Sequence, residues 1–424
     1  MTLSTDAQRL ELAAFLRPGD HIVWGQACGE PTTLVEALIA QAESIGRLSA
    51  FAATSFSGIL DAESAKRLSL SSMGAIGALR TIAATGRLNI VPCHVSQVGT
   101  MIERGLIGCD VAFVQVSPPE ADGNHSFGLV SDFVQAAVQK ARVVIAEVNE
   151  CVPFTMGDAV LPAARIDCAV RVARTPVEVF PAETDETDLA IARMAAGYIG
   201  DGAVIQVGIG AVPDAILRLL RDRRDLGVHS GMIGDGLVDL VEAGVVTNAL
   251  KPIDPGVSIT GALIGTRRLY RFVDHNPRIG MRSSSYTHNE AVLSRLTRLV
   301  TINSAMEVDL TGQVNAEQTG DHYLGGTGGQ VDYVRAGTRS PGGRSIIALP
   351  AASKGGKVSR IVAALSGPVT TARSEVDLII TEFGAAELKG QTLAERARRL
   401  VRIAHPNFRE ELDRTARAIQ RRGF

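Results

Sequence analysis

Short, nearly unbroken apolar runs recur along the first half of the chain, and they constrain its fold more than any other feature. They span residues 21–24, 47–54, 88–92, 111–116 and 143–148. Strands buried on both faces read as continuous apolar runs, whereas strands with one solvated face alternate. Segments 32–44 and 131–140 carry helical patterns between these runs. The alternation predicts an α/β fold with mainly parallel, doubly wound sheets.

The same pattern restarts in the second half of the chain. Residues 187–199 predict an amphipathic helix, and residues 203–207 predict a new strand. The segment 174–186 before them contains prolines and several acids, as linkers do. This restart favours a second α/β domain.

A weak internal repeat supports two related halves. Segments 19–38 and 200–220 both run from Gly-Asp through an apolar strand and a glycine loop to an amphipathic helix. Two copies of one supersecondary unit within a chain would produce such an internal repeat. We therefore predict two open α/β domains, residues 1–185 and 186–424, with an active-site cleft between them.

Composition argues against several classes of protein. The net charge of -2 lacks the basic excess of a nucleic-acid-binding protein. The five cysteines are scattered without a C-x-x-C pair, so we expect reduced thiols and no metal site. The sequence shows neither a signal peptide nor an apolar stretch of about 18 residues, the length that a membrane span needs. We expect a cytoplasmic enzyme with no membrane or nucleic-acid partner.

Two glycine-rich loops are candidates for ligand binding. The first lies where the strand predicted at 203–207 passes into a helix, and the second has four glycines in the five positions 325–329. Glycines at a helix N-terminus let backbone N–H groups approach a phosphate or a developing negative charge. The alternatives are a tight turn for the first loop and a flexible hairpin tip for the second. The candidate residues are Gly208, Ile209, Gly210, Ala211 and Val212, and then Gly326, Thr327, Gly328, Gly329 and Gln330.

Five segments together resemble the acetyl-CoA hydrolase/transferase family. They are GIGAVPDAIL (208–217), LGVHSGMIGDGLVDLVEAGVVTN (226–248), INSAMEVDLTGQVNAE (302–317), GTGGQVDYVRAG (326–337) and RIAHPNFREEL (402–412). The resemblance implies the fold of class I CoA-transferases and coenzyme A as part of a substrate and product thioester. It also implies that the first loop holds CoA, while Asn303 and the second loop hold the thioester and its oxyanion. A small carboxylate is the expected acceptor, and we expect a homo-oligomer, either a dimer or a tetramer.

The family's reaction uses a glutamate that this chain lacks. The resemblance implies that the glutamate attacks the acyl-CoA thioester and forms covalent intermediates, which splits one acyl exchange into easier steps. It places this glutamate at the position of Gly231, in the sequence His229-Ser230-Gly231-Met232. Ser230, Gly231 and Asp235 are expected to line the cleft, and Gly231 is expected to leave an empty volume there.

Three hypotheses follow from the missing glutamate. In the first, Glu63 enters the same space as a relocated nucleophile, because it lies on a loop after the strand at 47–54. The structural alternative is a helix start in which Asp61 is the N-cap and Glu63 lies in the first turn. In the second hypothesis the site activates water with a nearby acid or His229 as base. In the third the chain binds CoA esters without chemistry. A position of Glu63 on the outer surface would favour the second or third hypothesis.

Overall fold

The computed structural model describes residues 3–6 and 9–421, and its first half contains the predicted alternation of strands and helices. The strands are β1 (Leu3–Asp6), β2 (His21–Trp24), β3 (Leu48–Phe51), β4 (Leu68–Ser72), β5 (Leu88–Ile90), β6 (Val111–Val116), β7 (Asn124–Ser126), β8 (Val143–Asn149), β9 (Val160–Pro162) and β10 (Cys168–Val172). The helices are α1 (Thr32–Ile45), α2 (Ser64–Arg67), α3 (Leu79–Ala84), α4 (Val95–Glu103) and α5 (Val134–Lys140).

The second half repeats the alternation with shorter strands. Its strands are β11 (Val204–Val207), β12 (Gly227–Val228), β13 (Met232–Ile233), β14 (Ser258–Thr260), β15 (Ala262–Leu263), β16 (Ile279–Met281), β17 (Leu299–Ser304), β18 (Glu307–Asp309), β19 (Val314–Asn315), β20 (Gln318–Thr319), β21 (His322–Tyr323), β22 (Arg344–Ala348), β23 (Ile361–Val362), β24 (Leu378–Thr381) and β25 (Gly384–Glu387). Its helices are α6 (Glu186–Ala196), α7 (Ala211–Leu219), α8 (Asp235–Glu242), α9 (Arg267–Val273), α10 (Ser284–Thr287), α11 (Glu290–Leu293), α12 (Gln330–Arg339), α13 (Leu393–Ile403) and α14 (Pro406–Arg421).

The first large sheet is parallel throughout, as the unbroken apolar runs predict. Its strand order is β1-β10-β8-β6-β2-β3-β4-β5, and every neighbouring pair is parallel. Every residue of β6 and β8 is buried, which explains why these two strands carry no alternating pattern. The chain leaves β2 in one direction and later returns to its other side through β6. The sheet is therefore doubly wound, with a topological switch point between β2 and β6.

The second large sheet follows the same plan. Its order is β12-β11-β17-β22-β24-β25, and all pairs are parallel except β24 with β25. The chain passes from β11 to β12 on one side and to β17 on the other. A second switch point therefore lies at the carboxyl ends of β11 and β17, where open α/β sheets bind their ligands. The predicted fold class, α/β with mainly parallel, doubly wound sheets, is confirmed.

The chain divides into two compact units, and it crosses between them more than once. The first unit comprises the residues up to Phe180 together with Ser230–Asp235 and Val257–Asn289, and the second comprises the intervening and following residues. No sequence signal indicated that two later segments return to the first unit. The division of the chain into independently folding domains at 1–185 and 186–424 stays a prediction. Within the described ranges, no helix is both long enough and apolar enough to span a bilayer.

Candidate active site

The first glycine loop lies at the switch point of the second unit. β11 ends at Val207, and α7 begins at Ala211 with Gly210 as its N-cap at a φ of +122°. A Cβ atom placed on Gly208 or Gly210 would meet nothing within 4 Å. The backbone therefore approaches open space just before a helix N-terminus, where N–H groups favour an anion.

Asn303 lies on the neighbouring strand at the same edge of the sheet. It is the penultimate residue of β17, and its Nδ2 donates to Oε1 of Gln206 on β11 over 3.2 Å. Because Gln206 is buried, this bond fixes the orientation of the Asn303 amide. The first loop and Asn303 thus belong to adjacent strands of one unit.

The second glycine loop precedes α12 in the same unit. Gly325 lets the loop backbone pack closely against Ala316, since a Cβ at residue 325 would lie 2.2 Å from the carbonyl oxygen of Ala316. Gly328 has a φ of +56°, a conformation that disfavours other residues, and the space beside it is open. Nε2 of Gln330 is buried without a hydrogen-bond partner in the part of the chain that the structure describes. Such an atom is expected where a ligand completes the site.

A buried glutamate anchors this loop. The carbonyl oxygen of Glu317 accepts hydrogen bonds from the N–H groups of Leu324 and Gly325, both over 2.9 Å. Its carboxylate accepts from the Tyr323 hydroxyl over 2.5 Å and from Oγ1 of Thr370 over 2.7 Å. The loop is therefore held at its start, which argues against the flexible hairpin tip considered above. The roles of both loops and of Asn303 in CoA binding stay predictions.

Gly231 and His288 are the most informative pair in the first unit. A Cβ atom on Gly231 would lie 2.5 Å from Cε1 and 2.7 Å from Nε2 of His288. Both distances are shorter than any ordinary Cβ contact, so the ring occupies the space where a side chain at residue 231 would begin. The prediction that Gly231 leaves an empty volume is therefore wrong, because the imidazole of a residue 57 positions later along the chain fills it.

The segment around His288 fixes the imidazole ring. Nδ1 of His288 lies 2.9 Å from Oγ1 of Thr287, and this hydroxyl donates to the carbonyl oxygen of Ser283 over 3.3 Å. The backbone N–H of His288 donates to Ser284, whose own N–H donates to the carbonyl oxygen of Asp132. Burial lowers the pKa of His288 to about 3, so the ring is neutral near pH 7.

The other predicted cleft residues have structural partners within the first unit. Ser230 is buried, and its N–H donates to the carbonyl oxygen of Ile259 over 3.0 Å. The carboxylate of Asp235 accepts from the N–H and the hydroxyl of Thr266, both over 2.8 Å. Thr266 is the N-cap of α9, so Asp235 anchors the start of that helix. Whether Ser230, Gly231 and Asp235 line a substrate cleft stays a prediction.

Glu63 has the surroundings of the helix-start alternative. Its side chain is 71% exposed, and Oε1 accepts from Nζ of Lys66 over 2.6 Å. Oδ1 of Asp61 accepts from the N–H groups of Glu63 and Ser64, as an N-terminal cap does. An exposed, ion-paired carboxylate is well solvated, which weakens it as a nucleophile. The catalytic role of Glu63 stays a prediction that this geometry does not favour.

Sequence reasoning missed two buried acids on loops of the first unit. Glu30 lies on the loop after β2, accepts from Oγ of Ser55 over 3.0 Å, and has its pKa raised by burial to about 7. Asp132 accepts from Gln26, and burial raises its pKa to about 6. The backbone N–H of Asp132 donates to Gly261, whose N–H donates to the carbonyl oxygen of Gly231. A signal existed for Glu30, because it lies in the glycine loop of the internal repeat at 19–38.

No group of three or more histidine, cysteine or acidic side chains in the described residues could hold a metal ion. Of the five cysteines, which are all free, four are buried and Cys151 is exposed.

The burial of His288 predicts a pH-dependent stability. An unfolded histidine takes up a proton near pH 6.5, whereas folded His288 does so only near pH 3. His288 therefore contributes stability above pH 6.5 that is lost as the pH falls towards 3. Between pH 7 and pH 4, the parent is expected to lose about 3 kcal/mol more unfolding free energy than His288→Gln does. Urea unfolding at both pH values measures this difference, and parallel losses would contradict the assigned burial.

Comparison with known proteins identifies the family. Models of the acetyl-CoA hydrolase/transferase N-terminal and C-terminal domains match residues 6–181 and 265–416. The chain is 40% identical to 4-hydroxybutyrate coenzyme A transferase of Clostridium kluyveri over 396 residues, and this match covers 92% of each chain. RipA from Yersinia pestis is similar at 32% identity with a TM-score of 0.93, over 99% of this chain and 98% of that chain. 4-Hydroxybutyrate CoA-transferase from Porphyromonas gingivalis is similar at 33% identity with a TM-score of 0.83, over 99% and 98%. The chain therefore belongs to the acetyl-CoA hydrolase/transferase family and is an enzyme of the CoA-transferase type.

Proposed function

We propose that this enzyme transfers CoA between a small acyl-CoA and a small carboxylate while both substrates are bound, without a covalent intermediate at residue 231. One observation carries the proposal: Gly231 has no side chain, and the ring of His288 occupies the space where one would begin. A nucleophilic side chain at this position is therefore replaced by a neutral ring. The names of the related transferases support CoA transfer as the overall reaction.

The acceptor itself can supply the missing carboxylate. Its oxygen attacks the thioester carbon of the acyl-CoA, the C–S bond breaks, and CoA leaves as a thiolate. The product is a mixed anhydride of donor and acceptor. The thiolate then attacks the acceptor's carbonyl carbon, and the donor leaves as a carboxylate. No proton is gained or lost, so the exchange needs correct positioning and stabilisation of oxyanions rather than a strong acid or base.

The two glycine loops supply what such an exchange requires. Gly208, Ile209 and Gly210 precede α7, and Ala211 and Val212 are its first two residues, so this loop suits the phosphates of CoA. Gly326, Thr327, Gly328 and Gly329 precede α12, and Gln330 is its first residue. The N–H groups of this loop, together with the Asn303 amide, suit the thioester oxygen as negative charge develops. Nε2 of Gln330, which is buried without a hydrogen-bond partner among the described residues, supports a ligand at this second loop.

The acyl group is proposed to be small because the related transferases are named for 4-hydroxybutyrate. A panel of short acyl-CoA donors with acetate, butyrate and 4-hydroxybutyrate as acceptors identifies the pair. The cytoplasmic location and the homo-oligomer stay predictions.

Kinetics separate this reaction from one through an enzyme carboxylate. Initial rates with varied acyl-CoA and carboxylate are expected to give intersecting reciprocal plots, since both substrates must be bound together. A ping-pong reaction gives parallel plots. Borohydride treatment after acyl-CoA is expected to trap no adduct on the chain, and Glu63→Gln is expected to keep full exchange activity.

Each alternative has its own result. Parallel plots with an adduct at residue 63, lost in Glu63→Gln, would establish Glu63 as the nucleophile and overturn the proposal. CoA thioester binding without exchange or thiol release would show a binding protein. No binding of CoA or of a short acyl-CoA would overturn the ligand class.

Substitution at Gly328 tests the second loop, with Gly320 as a matched control. Both glycines have a φ of +56°, and neither has a neighbour closer than 3.9 Å to an added Cβ. Alanine therefore costs about 1 kcal/mol of backbone strain at either position. Only Gly328→Ala is expected to weaken acyl-CoA binding, by about tenfold or more, because Gly328 belongs to the loop proposed to contact the thioester. Calorimetric titration measures the affinities, and equal affinities in the two variants would remove the loop from the site.

A further inference from the structure

A cavity of about 340 Å³ lies wholly within the first unit, and the proposed exchange makes no use of it. Small-ligand sites have volumes of about 300–1,000 Å³, so this cavity can hold a small molecule. We propose that it binds a short-chain ω-amino acid, in which methylene groups separate an ammonium group from a carboxylate. The inference goes beyond CoA transfer, because it assigns a second ligand to residues that belong to neither glycine loop.

Two loops and one helix form the walls of the cavity. The loops follow the carboxyl ends of β8 and β10, the edge at which open α/β sheets bind ligands, and the helix is α9. The hydroxyl of Tyr270 on α9 donates to the carbonyl oxygen of Val177 over 2.6 Å, which holds the loop after β10. The carboxylate of Asp274, just after α9, accepts from the N–H of Phe154 over 2.8 Å, which holds the loop after β8. Because both loops are fixed to α9, the cavity is preformed.

Two of the four charged side chains that line the cavity already have ion-pair partners. Nε of Arg267 lies 3.3 Å from Oε2 of Glu178, and Oδ1 of Asp274 lies 3.0 Å from Nδ1 of His275. A hydrogen bond to Glu120 and the charge of Asp274 raise the pKa of His275, which favours its cationic form. The charges of Arg267 and Asp274 are therefore largely compensated by the protein itself.

Arg271 and Glu150 are the charged side chains that a ligand can pair with. Both line the cavity, and within the described part of the chain neither forms an ion pair or a side-chain hydrogen bond, with the other or with a third residue. An anion would pair with Arg271 but would meet the negative charge of Glu150 in the same cavity, and a cation would meet the reverse. A ligand with both a carboxylate and an ammonium group pairs with both, and a guanidinium binds a carboxylate through two parallel hydrogen bonds.

Apolar side chains complete the lining and suit a methylene chain. Val152, Pro153 and Pro176 line the same cavity and are buried. Methylene groups that contact these side chains are removed from water, which favours binding. Because Arg271 and Glu150 do not lie within ion-pair distance of each other, a chain must separate the two charged ends of the ligand. The cavity therefore favours an ω-amino acid over an α-amino acid, whose two charged groups share one carbon atom.

Cys151 reports on the occupancy of the cavity. It lines the cavity and is exposed, whereas the other four cysteines are buried. N-ethylmaleimide is therefore expected to modify Cys151 first in the folded, full-length protein, and mass spectrometry of the intact chain measures the rate. 4-Aminobutyrate is the probe, and at about ten times its Kd the rate is expected to fall about tenfold. Butyrate and butylamine each keep one of the two charges and are expected to protect Cys151 only at higher concentrations.

Charge-neutral variants test each end of the ligand. Arg271→Gln is expected to weaken the binding of 4-aminobutyrate about tenfold, the contribution of a charge-assisted hydrogen bond, and to leave that of butylamine nearly unchanged. Glu150→Gln is expected to weaken the binding of 4-aminobutyrate but not that of butyrate. Arg278→Gln is the matched control, because Arg278 is exposed, lies shortly after the end of α9 and does not line the cavity. Calorimetric titration of the full-length variants measures the affinities.

Each outcome decides for or against the site. Binding of 4-aminobutyrate that both variants weaken supports it, whether detected by protection of Cys151 or by heat alone. Neither heat nor protection with 4-aminobutyrate, β-alanine or 6-aminohexanoate overturns the ligand class. Equal binding of butyrate or butylamine overturns the need for two charges, and binding that is unchanged in either Arg271→Gln or Glu150→Gln overturns the assigned contacts. No measurement involves CoA, so this site and the proposed CoA transfer are tested separately.

Discussion

The packing of the His288 ring against Gly231 is the constraint on which the chemistry of this enzyme depends. The ring atoms lie closer to the position of a residue-231 Cβ than two carbon atoms can normally approach. A side chain at residue 231 and the observed ring position therefore exclude each other. The family resemblance predicts a glutamate at residue 231, whereas the structure has the imidazole of His288 in that space. The fold is therefore the same, but the site differs from the one that the resemblance predicts.

The surrounding fold holds this pair firmly. The segment that carries Gly231 and the segment that carries His288 return to the first unit late in the chain, and backbone hydrogen bonds through Gly261, Asp132 and Ser284 connect them. A close-packed interior resists the displacement of a buried ring. The glycine at residue 231 and the histidine at residue 288 are distant in sequence, but they form one packed pair and must be considered together.

The fold could be predicted from the sequence because parallel strands buried on both faces carry a strong signal. Residues 21–24 and 111–116 form strands with the predicted bounds, while the run at 47–54 yields only Leu48–Phe51 because apolarity continues into the loop. The first glycine loop was also predictable, since it joins a strand to a helix. Strands and strand-to-helix loops of this kind are determined by the sequence pattern of neighbouring residues.

Contacts between distant residues had no such signal. The sequence shows that Gly231 lacks a side chain, but pattern alone cannot reveal that His288 fills the space. Glu63 illustrates the same limit, because a loop after a core strand faces either a ligand or solvent, and the ion pair with Lys66 accompanies an exposed side chain. Burial of Glu30 and Asp132 likewise depends on tertiary packing.

Restoring the glutamate tests the central claim most directly. Gly231→Glu is compared with the double variant Gly231→Glu/His288→Gly, in which the ring is removed. Each protein is treated with acetyl-CoA and then borohydride, and the fraction of chain modified at residue 231 is measured by mass spectrometry. If the ring occupies the space of the glutamate, the double variant alone carries the adduct. Equal modification of the single variant, with its stability unchanged from the parent, would contradict the account.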